Sequence, residues 1–248
     1  MNNIRILQAS YKDDRGEFVM RFAELNERCA WRVKTMQSKE PATFAWLQGL
    51  EPTDILYDVG ANIGVYSVFA AVCRGCRVIA FEPEAQNYAA LNLNLALNGL
   101  GERVKAYCLA ASAEGGFFPL NLSEVGVGGS GHEVKEAVGY FLEPRPAAFK
   151  QGCLAVALED LVDFVGYPTH VKIDVDGFEH EVVQGLGDLL NSIESLCVEV
   201  NPAIPQHLTM VQNLVKRGFE FDPEQVREAT RTEGQFKGVA EHIFWRKA

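Results

Sequence analysis

Long apolar runs are missing from this chain of 248 residues. No window reaches the roughly 18 residues that a membrane-spanning helix needs, so no span is expected. The first residues, Met1-Asn-Asn-Ile-Arg5, have neither the basic start nor the apolar core of a secretion signal, which points to a cytoplasmic protein. Basic residues are also short: Lys and Arg number 23 against 33 Asp and Glu, a net charge of −10. A general nucleic-acid binder needs a cationic footprint for phosphate, so no nucleic-acid partner is expected. Cysteine chemistry is sparse. Of the six cysteines only Cys73-Arg-Gly-Cys76 has ligand or redox spacing, and no second pair or nearby histidine completes it. The others lie mostly in apolar runs, where a free thiol behaves as a small hydrophobe. No metal site is expected from them.

What is present is the composition of a globular protein, 48% hydrophobic and 23% charged. One stretch organises the rest, Ile55-Leu-Tyr-Asp-Val-Gly-Ala-Asn-Ile-Gly-Val-Tyr-Ser67. An apolar strand runs into a glycine turn and then into a helical pattern, the grammar of a nucleotide site. The turn lacks the G-x-G-x-x-G spacing of a dinucleotide fold and the lysine of a phosphate loop. Strands are then expected at 77–82, 104–109, 170–175 and 195–200, with helices at 65–72, 84–98, 158–165, 179–191 and 204–217. That alternation implies βαβ units in a mostly parallel, doubly wound sheet. Two strands close the chain, at 219–221 and 241–246, with no helix expected between them, so the last strand is expected to be antiparallel. Residues 112–152 interrupt the alternation with an extra strand near 115–122 and a glycine loop over 125–131. Residues 1–50 read as an N-terminal helical cap, with Phe18, Phe22 and Leu25 at helical spacing and a second helix opened by Pro41. The domain proper is placed at 51–248.

In open α/β sheets ligands bind at the carboxyl ends of the strands, near the point where strand order reverses. Asp58 and the Gly60–Gly64 turn end the first strand. Glu82 ends the second, where a carboxylate can accept from both ribose hydroxyls. Ala110 and Ala111 follow the third as small residues beside the place a flat base would lie. The fourth strand carries Lys172, Asp174 and Asp176 on one face. Two neighbouring carboxylates repel, so one pKa is expected to rise, and Lys172 can offset their charge. They could hold a divalent metal, but no decisive ligand cluster accompanies them, so no metal is expected.

Asp58-Val-Gly-Ala-Asn-Ile-Gly64 resembles the first motif of class I S-adenosylmethionine-dependent methyltransferases. With Phe81-Glu-Pro83 and Val171-Lys-Ile-Asp-Val-Asp-Gly-Phe-Glu179, the chain resembles the FkbM-type methyltransferases over about residues 39–246. Many members carry glutamate where this chain has Asp176. The resemblance implies a Rossmann-like seven-stranded sheet, S-adenosyl-L-methionine as cofactor, and O-methylation of a hydroxyl on a small molecule or glycan. It implies a donor site built from Glu40, Asp58, Gly60, Ala61, Asn62, Gly64, Tyr66, Glu82, Pro83, Asn87, Ala110, Ala111 and Asp174. Catalysis would fall to Asp174, Asp176 and Lys172, one of the two aspartates acting as base, with Glu179, His180 or His132 in reserve. Neither the acceptor nor the oligomeric state is legible.

Overall fold

The structure, a computed structural model, describes residues 4–139 and 141–247; part of the stretch read above for a secretion signal, Met1–Asn3, lies outside them. The chain opens with strands β1 (Arg5–Asp13) and β2 (Gly16–Glu24), then helices α1 (Glu27–Lys34) and α2 (Pro41–Gln48). Strand β3 (Ile55–Val59) follows, then α3 (Val65–Phe69), β4 (Arg77–Phe81), α4 (Ala85–Leu97) and β5 (Val104–Tyr107). An inserted segment holds β6 (Ala110–Ala111), β7 (Gly116–Leu122), β8 (Glu133–Val134) and β9 (Phe149–Val156). The alternation resumes with α5 (Val162–Val165), β10 (His170–Ile173), α6 (Glu179–Gly185), β11 (Ser195–Val200) and α7 (Pro205–Lys216). It closes with β12 (Phe219–Phe221), α8 (Pro223–Ala229) and β13 (Ala240–Arg246).

Seven strands form the central sheet in the order β12-β13-β11-β10-β3-β4-β5. From β3 the chain builds outward through β4 and β5, then returns to start again on the other side with β10. The switch point therefore lies between β3 and β10, whose carboxyl ends carry Asp58 and Lys172 as register partners. β13 runs antiparallel to both neighbours, as the closing pair of strands implies. The mixed α/β, Rossmann-like doubly wound sheet is the one read from the sequence.

Burial explains why the central strands read as unbroken apolar runs: every residue of β11 is buried, because helices cover both faces. One face packs Leu56, Val68, Phe69 and Leu91 with the N-terminal Met20, Phe22, Phe44 and Leu47 in a single cluster. The opposite face packs Tyr57, Val171, Val182, Leu196, Met210 and Phe244. The six cysteines are free, five of them buried.

Two expectations fail. Residues 18–25 are not helical; β1 and β2 pair as an antiparallel hairpin turned at Gly16. Phe18, Met20 and Phe22 alternate inward while Val19 and Arg21 face out, a period of two that shares Phe18 and Phe22 with the helical reading. The buried amide of Asn94 fixes the hairpin, accepting from Ala23 N at 2.8 Å and donating to Ile63 O at 2.8 Å. The second failure is the stretch between β12 and β13. It contains α8, started by Pro223 and capped by Asp222, whose side chain accepts from Glu224 N.

Gly185 lies where α6 crosses the insertion, and a Cβ there would collide with the carbonyl oxygen of Ser112. Gly-to-Ala in a helix interior ordinarily gains up to about 1 kcal/mol. Here overpacking outweighs that gain, and Gly185→Ala is expected to lower stability by about 1–3 kcal/mol in urea unfolding.

Candidate active site

Gly60, Asn62 and Gly64 all take positive φ, at 77°, 51° and 80°. Glycine meets this without strain, and asparagine is among the side chains that tolerate it best. Close approach fixes both glycines: a Cβ on Gly60 would strike the Asp174 carbonyl, and one on Gly64 would strike Leu91. The coiled turn aims its amides at the end of β4. Gly60 N and Ala61 N donate to Phe81 O, and Asn62 N donates to Glu82 Oε2 at 2.8 Å.

Glu82 accepts a second backbone bond from Glu84 N at 2.9 Å and lines a cavity of about 260 Å³ over the strand ends. Burial pushes its pKa to about 7, against the pull of those two amides. Glu84 in turn caps α4 by accepting from Gln86 N and Asn87 N. The same cavity takes in Gly60, Asn62, Pro83, Asn87, Ala110, Ala111, Asp174 and Asp176. A narrower cleft beside the glycine turn adds Glu40, Ala61, Tyr66 and Lys172. There the Tyr66 hydroxyl donates to Glu40 at 3.0 Å.

Two of the expected residues lie behind this surface. Asp58 is buried, accepts from the Ser67 hydroxyl at 2.6 Å and lies 3.6 Å from the Lys172 ammonium. Gly64 serves the turn's packing against Leu91. Lys172 is itself buried between Asp58 and Asp174, 3.5 Å from the latter. Burial opposes its charge, but Asp174, Asp58 and Glu40 outweigh burial and raise its pKa.

β10 ends at Ile173, so the expectation that Lys172, Asp174 and Asp176 share one strand face fails: both aspartates lie beyond the strand, and Asp176 sits in a turn at positive φ. The two aspartates differ sharply. Burial works against an Asp174 anion, but the charges of Lys172 and Lys39 overcome it and hold the carboxyl below its ordinary range. Asp176 is pushed up, first by burial and then by the Asp174 charge. Asp176 adopts φ 57° and accepts from Gly131 N at 2.6 Å, which ties the glycine loop to this strand end. The loop is also held by Asn62 Nδ2, which donates to Gly129 O at 2.7 Å, and by Asn87, whose side chain bonds both Gly128 N and Gly129 O.

Glu179, one of the reserve bases, is buried and committed. Its carboxylate accepts from Val175 N at 2.9 Å and Gly177 N at 3.1 Å, and its pKa is pushed up to about 8 by burial. His207 closes the arrangement, accepting from Asn201 N at Nδ1 and offering Nε2 to Gly177 O at 2.9 Å. His132 lines the cavity; His180 faces a separate, larger groove of about 730 Å³ between α6 and α7. None of the donor-site candidates lines that groove.

Carboxyl oxygens of Asp174, Glu179 and Glu199 come within 4.8 Å of one another, a spacing that could hold a metal ion. Each already has an internal partner: Lys172, backbone amides and Arg231 respectively. Sequence reading missed Arg231, which bonds Glu199 at 2.7 Å and Glu241 at 2.5 Å. Those two acids are register partners on β11 and β13, so without Arg231 like charges would face each other directly. Trp31, Arg32, Lys39 and Phe236 also line the cavity; none is among the site residues expected from the sequence. They come from the cap and the β12–β13 excursion, whose placement no local motif signals.

A glycine turn and a buried acid at the switch point of a doubly wound α/β sheet face a pair of unequal carboxylates across one cavity. Residues 58–221 match the family described as Methyltransferase FkbM domain, and the chain belongs to that family; it is a methyltransferase. Among curated proteins it is 25% identical over 218 residues to the hexuronic acid methyltransferase AglP of Haloferax volcanii, covering 82% of this chain and 80% of that one. It is 27% identical over 240 residues to AMB antimetabolite synthetase AmbE of Pseudomonas aeruginosa, covering 79% of this chain but only 11% of that protein. Of solved structures, methyltransferase FkbM of Methylobacillus flagellatus shares the fold, with TM-score 0.53 and 13% identity over 84% of this chain. This chain spans about half of that one, 48%. A Streptococcus mutans protein solved in complex with SAH gives TM-score 0.50 at 12% identity, covering 84% and 97% of the two chains. No helix among the described residues is long and apolar enough to cross a membrane.

The His207 pKa falls to about 4, chiefly through burial. Its folded value lies below the unfolded one near 6.5, so the neutral ring's contribution is intact above pH 6.5. It is lost as pH falls from 6.5 towards 4, by at most on the order of 3 kcal/mol. Unfolding midpoints over pH 4–7 should show this acid loss in the native protein, and it should be diminished in His207→Gln.

Proposed function

We propose that the protein is an S-adenosyl-L-methionine-dependent O-methyltransferase acting on a hydroxyl of a sugar or a glycan. The observation that carries the reading is the single cavity containing both Glu82 with the glycine turn and the Asp174–Asp176 pair. The residues present fit the donor. Glu82 keeps lone pairs free for ribose hydroxyls after accepting its two backbone bonds. Ala110 and Ala111 leave room for a flat base, and Asn87 closes that side of the cavity. Glu40 and Asp174, both on the cleft beside the turn, suit an ammonium group. When bound, the donor supplies a methyl group already activated by its sulfonium. The protein's tasks are then alignment and proton removal. The hexuronic acid named in the AglP relative supports a sugar acceptor.

A hydroxyl is a weak nucleophile, and a useful base has a pKa near the working pH. Asp176 answers this better than Asp174, because burial and its charged neighbour raise its pKa while Lys172 and Lys39 keep Asp174 a weak base. In this reading Asp176 accepts the acceptor's proton, and Asp174 maintains the field that makes it basic. Lys172 holds Asp174 ionised and does not meet the acceptor.

Asp176→Asn is expected to lower kcat by roughly 100-fold or more while affinity for S-adenosylhomocysteine is retained. Asp174→Asn removes a like charge and so lowers the Asp176 pKa. The acid limb of the rate profile should then move to lower pH. Full activity of Asp176→Asn, or an unmoved limb in Asp174→Asn, would refute this division of roles.

A further inference from the structure

The cations around the cavity are not equivalent. Lys39 pairs with Glu40, and Arg231 with Glu199 and Glu241. Arg32 forms no ion pair among the described residues. Its Nε donates to Gly128 O at 2.9 Å, and its two terminal nitrogens bond no described group. It lines both the main cavity and the cleft beside the glycine turn. A protein with 33 acids and 23 bases has carboxylates in surplus, yet among the described residues none pairs with this half-buried guanidinium. Its field reaches the reacting end of the cavity, where it stabilises the anions of Asp174 and Asp176.

Next to Arg32, Trp31 is 48% exposed and also lines the cavity, with the Lys39 ammonium 6.0 Å from the centre of its ring. An indole in the wall of a cavity offers a stacking surface for the apolar face of a sugar ring. A planar fork of donors beside it matches a carboxylate or a phosphate, which accepts two parallel bonds. The long-range field of a chain at net charge −10 repels such a group, so recognition has to be local.

We propose that the methyl acceptor is an anionic sugar, bearing a carboxylate or a phosphate, with its ring against Trp31 and its charge on Arg32. Lys39 adds attraction from the same side. This rests on the sugar O-methyltransferase reading above and adds the acceptor's charge to it. The residues that perform it are contributed by α1 and the segment before α2, so the N-terminal cap serves as the acceptor's selectivity element.

The test uses the intact chain with S-adenosylmethionine and three probes: methyl glucuronide, glucose 1-phosphate and neutral methyl glucoside. Methyl transfer is followed by mass spectrometry, and binding of S-adenosylhomocysteine and 5′-methylthioadenosine by calorimetry. At least one charged probe should have a KM roughly tenfold or more below that of the neutral one. Whether the uronate or the phosphate wins identifies the anion. Arg32→Gln should abolish the preference by raising the charged probe's KM to that of the neutral one, with both nucleoside affinities unchanged; any change in kcat through Asp174 and Asp176 falls on both probes alike. Equal use of charged and neutral probes overturns the inference and leaves the sugar reading standing. Discrimination that survives in Arg32→Gln overturns it too. If that variant loses S-adenosylhomocysteine affinity but keeps 5′-methylthioadenosine affinity, Arg32 belongs to the donor's carboxylate and the inference also falls. Cofactor binding with no transfer to any probe overturns the sugar reading and the charge inference together.

Discussion

The buried ammonium of Lys172 between Asp58 and Asp174 is the constraint on which the rest of the site depends. Lys172 and Asp58 face each other in register at the switch point, where β10 meets β3. A buried cation without its carboxylates would cost several kcal/mol, and so would the carboxylates without the cation. The three charges therefore form or fail together. Through Ser67, Asp58 ties the group to α3, and through the Asp174 carbonyl it sets how closely Gly60 must approach. Asp174 stays ionised because of Lys172, and Asp176 is raised in part because Asp174 is ionised. Burial and this structural ion triad together set the protonation behaviour of the pair that faces the cavity.

Around that centre, amides carry out most of the assembly. Asn62 and Asn87 hold the glycine loop across the cavity, Asn94 docks the N-terminal hairpin, and Asn98 bonds both backbone groups of Arg21. Neutral side chains with both donors and acceptors can satisfy strand edges and loop carbonyls without adding charge to an acidic protein. The buried acids follow the same economy. Glu82 and Glu179 spend their oxygens on backbone amides, and Glu199 shares Arg231 with Glu241.

Local signals made part of this legible. Gly60, Asn62 and Gly64 announce a left-handed turn because few other residues adopt that backbone cheaply, and the positive φ values follow. The strands that hold Asp58 or lead into Glu82 and Asp174 are visible as apolar runs, since strands covered on both faces have no polar alternation to mask them. The hairpin at residues 5–24 was misread because Phe18 and Phe22 satisfy periods of both two and nearly four. Only Met20 between them, packed against Cys73 in the fold, decides for the strand. α8 was overlooked in a polar stretch, although Asp222-Pro223-Glu224 is a helix start by its capping chemistry.

The sequence by itself determined the doubly wound sheet, the glycine turn and the acids at the strand ends, because each follows from residues near one another in the chain. Tertiary structure alone decided which acids face the cavity and which face inward. Asp58 and Asp174 lie at the carboxyl ends of neighbouring strands, one inside β3 and one just past β10, yet one is buried against Ser67 and the other lines the cavity. It alone brought Trp31, Arg32 and Lys39 from the N-terminal segment, and Arg231 and Phe236 from the far end of the chain, to the same strand ends. Contacts across such separations depend on packing and on pairing buried charge, and neither leaves a periodic trace in the sequence.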